Sequence, residues 1–592
     1  MRRKTLLVTI LFLVMVLAVS TVTMAGFFDW FTGGSEFKYY SPKKLKQSIE
    51  QEKEFLLVDI QPQEDFNNHH IKGAIGTYAY PVKSKQDKAK LDRILTQLKK
   101  SDDDIVIVCP RGGGGAERTY QYLSSQGIKE KRLYILENGQ AGWPYEQLVV
   151  DEKLATISTE KLATQLGTQD LVVVDVRSDA AYNGWKLKDE TRGGHIKGAV
   201  HFPVSWLELL ENEELIDTLK NKGVTSDRKI VIYGYKDSQS KKLGLFLKDE
   251  LDYKDVAIYK NGIVKWSANN DLPMDKLPNY SKLVSPNWVK DLIDGKDPAT
   301  YDGRDFVIID TNYKKFGHYK KGHIPTSIYV DTNEIEGPPL WNIVSDAKLK
   351  ELFKKTGITK DTLVVVYSEE PMAAGRLISV LMYAGVEDVR MLDGGYQAWE
   401  RAGYSLEKGV NEWQVGGYQV WKKTGHSLKK EIKEWQTGAD FGARIPVHPE
   451  YYINVPQAKE LLKDPNGRLV AVVSWDEYIG KNNGGYSYFD EKGRIPGSVW
   501  GHGGSDAYHS EHFVDPDWTM RSYPEIEKMW ADWDINPENE SAFFCGTGWR
   551  GGLAMFDAYL MGWKNISVFD GGWYEWSRNP ENPVEFGDPR KE

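Results

Sequence analysis

Residues 541–552 read SAFFCGTGWRGG: a short apolar run, a cysteine at its end and a glycine-rich loop after it. An apolar run without polar alternation reads as a strand buried on both faces, as in parallel sheets. A cysteine at the carboxyl end of such a strand, followed by a glycine-rich loop that opens a helix, sits where α/β folds bind their ligands. The glycines let successive N–H groups turn inward as an anion cradle, and the helix amino terminus adds positive potential. That setting lowers a thiol's pKa, makes the thiolate a nucleophile near neutral pH, and stabilises a charged sulfur carried on it.

Working outward, the other cysteine of the chain stands in the same place. DIVIV runs into Cys109-Pro110-Arg111-Gly112-Gly113-Gly114, while KIVIY runs into Gly234-Tyr235 and LVVVY into Ser368-Glu369. Two further markers recur in register. One is a turn at His70-Ile71, His195-Ile196, His323-Ile324 and Arg494-Ile495; the other is a Gly-x-x-x-Trp ending at Trp143, Trp266, Trp399 and Trp576. Each copy is far longer than the roughly 20–50 residues of a solenoid repeat, so the copies are whole domains. The expected organisation is domain one over 36–150, domain two over 151–275, domain three over 280–406, a linker over 407–450 and domain four over 451–592. Within the linker, LKKEIKEW (428–435) is expected to form a solvated helix.

The 592 residues are 41% hydrophobic and 27% charged, enough to bury several cores. The net charge of −9 provides no basic field for phosphate backbones, which argues against nucleic acid as a partner. Two cysteines can neither staple four domains nor build a four-cysteine zinc site. Arg2, Arg3 and Lys4 precede LLVTILFLVMVLAV and the small-residue end at Met24-Ala25, the layout of a secretory signal over 1–25. The alternative is an uncleaved amino-terminal anchor; either way the body is expected to be exported, to the periplasm or beyond. In an oxidising compartment a Cys109–Cys545 disulfide stands as the alternative to two separate thiol sites.

Taken together, the ordered motifs resemble those of the rhodanese (sulfurtransferase) family. They are Asp175-Val176-Arg177 with variants at Asp59-Ile60-Gln61 and Asp310-Thr311-Asn312, the His-Ile-x-Gly turn, the cysteine loop, and the Asp-Gly-Gly-x-x-x-Trp endings at 393–399 and 570–576. The resemblance covers nearly all of the chain after the signal. It implies four tandem α/β domains, each a parallel sheet of about five strands flanked by helices, and a persulfide on the loop cysteine. Copy four looks like the catalytic domain of multi-domain thiosulfate or 3-mercaptopyruvate sulfurtransferases. Cys545 is then the principal catalytic residue and Cys109 a second candidate or a vestigial site. Gly546, Thr547, Gly548, Trp549, Arg550 and Gly551 are expected to hold the donor, with Arg111, Gly112, Gly113 and Gly114 their counterparts in copy one. No metal or organic cofactor is implied. The partners are a small sulfane-sulfur donor and a thiol or cyanide acceptor, with an exported redox protein as a further candidate.

Copy four has Val473-Ser474-Trp475 where copy two has Asp-Val-Arg, and copy one has Gly114 where copy four has Arg550. Arg494 replaces the turn histidine; it either points a cation at the donor or makes an ordinary salt bridge. Cysteine phosphatases carry arginine six positions after the cysteine, whereas here Gly551 holds that place, which ranks phosphatase low. His502, His509 and His512 match no familiar metal spacing and are expected to border the Cys545 pocket. The tryptophans are expected in core and interdomain packing, with Trp549 in the cradle shaping donor access. A non-turnover sulfur carrier and a binding scaffold remain the alternatives to an enzyme.

Overall fold

The unalternating runs become the central strands of four sheets. Phe55–Asp59 lies beside Asp104–Val108, Leu171–Asp175 beside Lys229–Tyr233, Phe306–Asn312 beside Leu363–Tyr367 and Gly467–Ala471 beside Glu540–Phe544, every pair parallel. The structure is a computed structural model that describes residues 37–591 apart from 52, 146–147, 151–153, 411–416, 425–426 and 435–439. The expected signal over 1–25 lies outside the described residues.

The chain divides into two units, Met1–Leu154 and Ala155–Glu592. The first unit holds one five-stranded parallel sheet, in the order Tyr39–Tyr40, Leu133–Leu136, Asp104–Val108, Phe55–Asp59 and Ala74–Gly76. The second unit holds the other three copies, and those of copies two and four are again five-stranded and parallel. In copy three a hairpin, Gly417–Thr424 with Ser427–Glu434, joins the five parallel strands and pairs antiparallel with Phe306–Asn312 at Phe306. This corrects the helix expected over 428–435 for its described residues, 428–434. The segment 417–424 is rich in aromatic and β-branched residues, which favour a strand over a helix.

The two sequence markers are structural staples. His70, His195 and His323 are buried, pair through Nδ1 with the carbonyls of Phe66, Tyr182 and Tyr319, and stack on those rings at 3.9, 3.7 and 3.9 Å. Each closing tryptophan is buried and donates its indole N–H to a nearby carbonyl: Trp143 to Tyr145, Trp266 to Pro273, Trp399 to Ser405 and Trp576 to Pro583. A buried indole N–H without a partner would cost free energy, so the ring and its acceptor travel together in every copy.

Copies three and four share one core. Val364, Leu377 and Leu381 of the former pack in the same cluster as Phe543, Phe556 and Leu560 of the latter. The helices Pro371–Ala384 and Trp549–Leu560 approach so closely that a Cβ on Gly375 would lie 2.5 Å from Leu553 Cα. Copy two is tied to copy four by Lys222, buried between Asp515 at 3.0 Å and Glu525 at 2.7 Å, and by Trp206, whose indole donates to Asp517. The helix that follows Cys545 is therefore fixed from outside its own domain.

Candidate active site

Cys545 ends the strand Glu540–Phe544 and is 1% exposed. Its carbonyl accepts the Trp573 N–H at 2.8 Å. Beneath it Gly572 has φ +53°, and a Cβ there would fall 2.5 Å from the carbonyl oxygens of Cys545 and Thr547, so only glycine fits. Gly139, Gly262 and Gly395 hold the same place under Cys109, Gly234 and Ser368, with φ of +57°, +57° and +52°. The glycine-rich ending of each copy is thus the floor of the loop.

On the inner side, the Gly546 N–H donates to Tyr486 Oη at 3.2 Å, and Arg550 Nη2 donates to the same oxygen at 3.1 Å. Arg550 forks onto Glu477 at 2.8 and 3.0 Å and donates to the Asp506 carbonyl at 3.0 Å. Burial pushes the Glu477 carboxyl up, but Arg550 and the Ser474 N–H outweigh it and hold the group below its ordinary value. This corrects the expectation that Arg550 grips the donor. From the first turn of its helix the side chain runs under the loop, where an arginine survives burial only beside a carboxylate. Arg494 is turned away as well. It is 4% exposed, paired with Glu585 at 3.0 Å and donating to the Gly587 carbonyl, with its guanidinium 5.7 Å over the Tyr478 ring in place of the stacked histidine. Of its two expected roles, the ion pair is the one present, and its carboxylate, Glu585, is exposed.

The outer side is aromatic. Tyr488 stands at the rim, 41% exposed. Its ring is 6.2 Å from Trp341 and 5.4 Å from Tyr574. Trp549 is half-buried and donates its indole N–H to Glu336 of copy three. A Cβ on Gly548 would sit 2.3 Å from Arg376 Nη1, also of copy three. Sequence reasoning missed Glu477, Tyr486, Tyr488, Glu336 and Arg376. Only Glu477 carried a local signal, the Ser-x-x-Glu capping box of Ser474 and Glu477. His509 pairs with Asp506 at 2.7 Å at the edge of the site, and no cluster of metal-ligating side chains occurs among the described residues.

In the first unit Cys109 is 2% exposed and accepts the Gly112 N–H at 3.1 Å, while its carbonyl accepts from Gln140. Its loop is open outward: a Cβ on Gly113 would meet nothing within 4 Å, one on Gly114 would meet only Arg118, and Arg111 is exposed. Both cysteines are free thiols, each buried within its own unit.

Comparison with known proteins matches this geometry. A relative in Escherichia coli (strain K12), thiosulfate sulfurtransferase YnjE, is 39% identical over 429 residues, 72% of this chain and 91% of that protein. The sulfur carrier protein TtuD of Thermus thermophilus is 26% identical over 321 residues, 52% of this chain and 97% of that protein. Among solved structures, wild-type EanB superposes with a TM-score of 0.67 at 39% identity, covering 74% of this chain and 99% of that one. Other EanB structures hold hercynine, or ergothioneine linked to a cysteine persulfide. Four Rhodanese-like domains match over 41–145, 158–269, 285–402 and 454–579, and with its cysteine loops at the strand ends the chain belongs to the rhodanese family of sulfurtransferases.

Proposed function

We propose that Cys545 carries sulfane sulfur as a persulfide between a small donor, such as thiosulfate or 3-mercaptopyruvate, and a thiophilic acceptor, and that the protein does so outside the cytoplasm. The supporting observation is the cysteine held at a strand end above a glycine floor and before a helix amino terminus. With thiosulfate, the Cys545 thiolate attacks the outer sulfur, the donor's S–S bond breaks, and its electron pair leaves with sulfite. A thiol or cyanide acceptor then takes the outer sulfur and returns the thiolate, which gives ping-pong kinetics. Cys109 is a second thiol for the same chemistry in an open loop.

A second reading concerns the acceptor. The site's cations, Arg550 and Arg376, are each matched by carboxylates, and the rim is formed by Tyr488, Trp341 and Tyr508. Such a rim favours a cationic or heteroaromatic acceptor over an anion, in line with the hercynine bound by EanB. Intact-mass analysis of the reduced chain after thiosulfate or 3-mercaptopyruvate, beside Cys545→Ser and Cys109→Ser, tests the carrier. The expected result is a one-sulfur gain lost in Cys545→Ser; a gain that survives this change in full would overturn the assignment. Adding cyanide or hercynine to the loaded protein then shows which acceptor discharges it. Fractionation of cells that express the whole chain tests export.

A further inference from the structure

We propose that Arg376 and Glu336, both carried by copy three, are positioning residues for the Cys545 loop. The proposal rests on Cys545 being the sulfur-carrying thiol. Copy three has serine, Ser368, at the cysteine position, so it has no thiol of its own to offer.

Arg376 lies on the helix Pro371–Ala384 and is wholly buried. Its Nε donates to Glu336 Oε2 at 2.9 Å; its Nη2 donates to Asp570 Oδ1 at 2.8 Å and to the Trp341 carbonyl at 3.2 Å. Its charge is thus balanced by two carboxylates, which makes it a brace and not an anion receptor. Glu336 is 2% exposed and uses its other oxygen to accept the Trp549 indole N–H. Asp570 completes the ring by accepting the Ile343 N–H at 2.9 Å, so both ends of the copy-three hairpin Glu336–Gly337 and Asn342–Ile343 grip copy four.

This brace touches the loop at two points. Trp549 is the first residue of the helix that follows Cys545, so holding its indole holds the helix start and the N–H groups of the cradle. Gly548 faces Arg376 Nη1, with room for a hydrogen but not for a Cβ. Tyr486 and Arg550 hold the loop from the inside; Arg376 and Glu336 hold it from the outside. In copy one the glycine at the same offset from the cysteine, Gly112, faces the backbone of Asn138 and Gly139 within its own domain and not a side chain of another copy. Since a displacement of about 1 Å at a reacting centre can cost about 100-fold in rate, a brace of this kind is worth having.

The experiment uses the full chain with Glu336→Gln, Trp549→Phe, Arg376→Lys and Arg376→Ala. A glutamine offers one acceptor and one donor to two donors, so Glu336→Gln cannot satisfy both Trp549 and Arg376. Single-turnover loading of Cys545 is followed by peptide-resolved mass analysis, alongside kcat, KM, and the pH profile of Cys545 alkylation. Expected are a roughly 10- to 100-fold fall in loading rate and kcat for Glu336→Gln with KM within about twofold, a smaller fall for Trp549→Phe, and partial rescue by Arg376→Lys relative to Arg376→Ala. Loading and kcat within about twofold of wild type in both Glu336→Gln and Trp549→Phe would overturn the proposal while wild type still loads on Cys545. So would losses confined to variants whose melting temperature also falls. If wild type itself takes no sulfur on Cys545, the carrier reading fails first and this one with it.

Discussion

Replacing Arg177 by glutamine converts a silent buried carboxylate into one that titrates near neutrality. Asp175 is 0% exposed, and Arg177 forks onto it at 2.9 and 2.7 Å while also donating to the Gly194 carbonyl. Burial pushes the Asp175 carboxyl up, but Arg177 reverses this and holds it below its ordinary value. The same chain supplies the reference. Where the partner is Gln61 or Asn312, burial pushes Asp59 and Asp310 up to about 7. Arg177→Gln should carry Asp175 to the same range. In the variant, the folded state then keeps a proton that the unfolded state, with an ordinary value of 3.8, releases. Stability conferred by that proton is therefore lost as pH rises through 7. At about 1.4 kcal/mol per unit, the extra loss between pH 5 and pH 8 is about 3 kcal/mol. It comes on top of a pH-independent cost for the unpaired Gly194 carbonyl of about 1–3 kcal/mol. Wild-type Asp175 does not titrate in this window, and His201, which faces it, is present in both proteins. The assay is hydrogen exchange of the amides in Leu171–Asp175 and Lys229–Tyr233, corrected for intrinsic rate, at pH 5 and pH 8. Equal destabilisation at the two pH values would refute the reasoning.

Gly375→Ala places a Cβ 2.5 Å from Leu553 Cα and 2.7 Å from its N, backbone that cannot step aside; calorimetry should show a loss of about 1–3 kcal/mol in the unit that contains copies three and four, and an unchanged melting temperature would refute the close approach. Arg550→Gln strands Glu477 and should cost about 3–5 kcal/mol, whereas the double change with Glu477→Gln should cost less than the two single changes added together, as read by denaturant unfolding; strict additivity would refute the pairing. Lys222→Met leaves Asp515 and Glu525 without their buried cation, so Asp515, already pushed up to about 6, should move higher. Stability of the copy-two to copy-four junction should then fall more between pH 5 and pH 8 than in wild type, as read by hydrogen exchange of Asn212–Asn221; an unaltered pH dependence would refute this.

What was legible in the sequence divides by how far a residue's partner lies along the chain. The histidine and tryptophan markers each satisfy a carbonyl within a few turns, so their meaning repeats wherever the local pattern repeats. Cys545 and Gly572 are legible for a related reason, since the strand end and the loop floor belong to one domain and recur in every copy. The hairpin over 417–434 escaped because lysines and glutamates that suit a solvated helix also suit an edge strand, where charge discourages further pairing. Glu336, Arg376 and Asp570 escaped for a stronger reason. The Trp549–Glu336 bond spans 213 residues and the Arg376–Asp570 bond 194, and no periodicity announces contacts between two copies. Arg550 shows the remaining limit. Spacing placed it on the loop, but its direction was set by Glu477, a carboxylate 73 positions earlier, and by the cost of burying a guanidinium alone. The position of a charged side chain in a motif therefore predicts its neighbourhood, and the nearest buried opposite charge decides which way it faces.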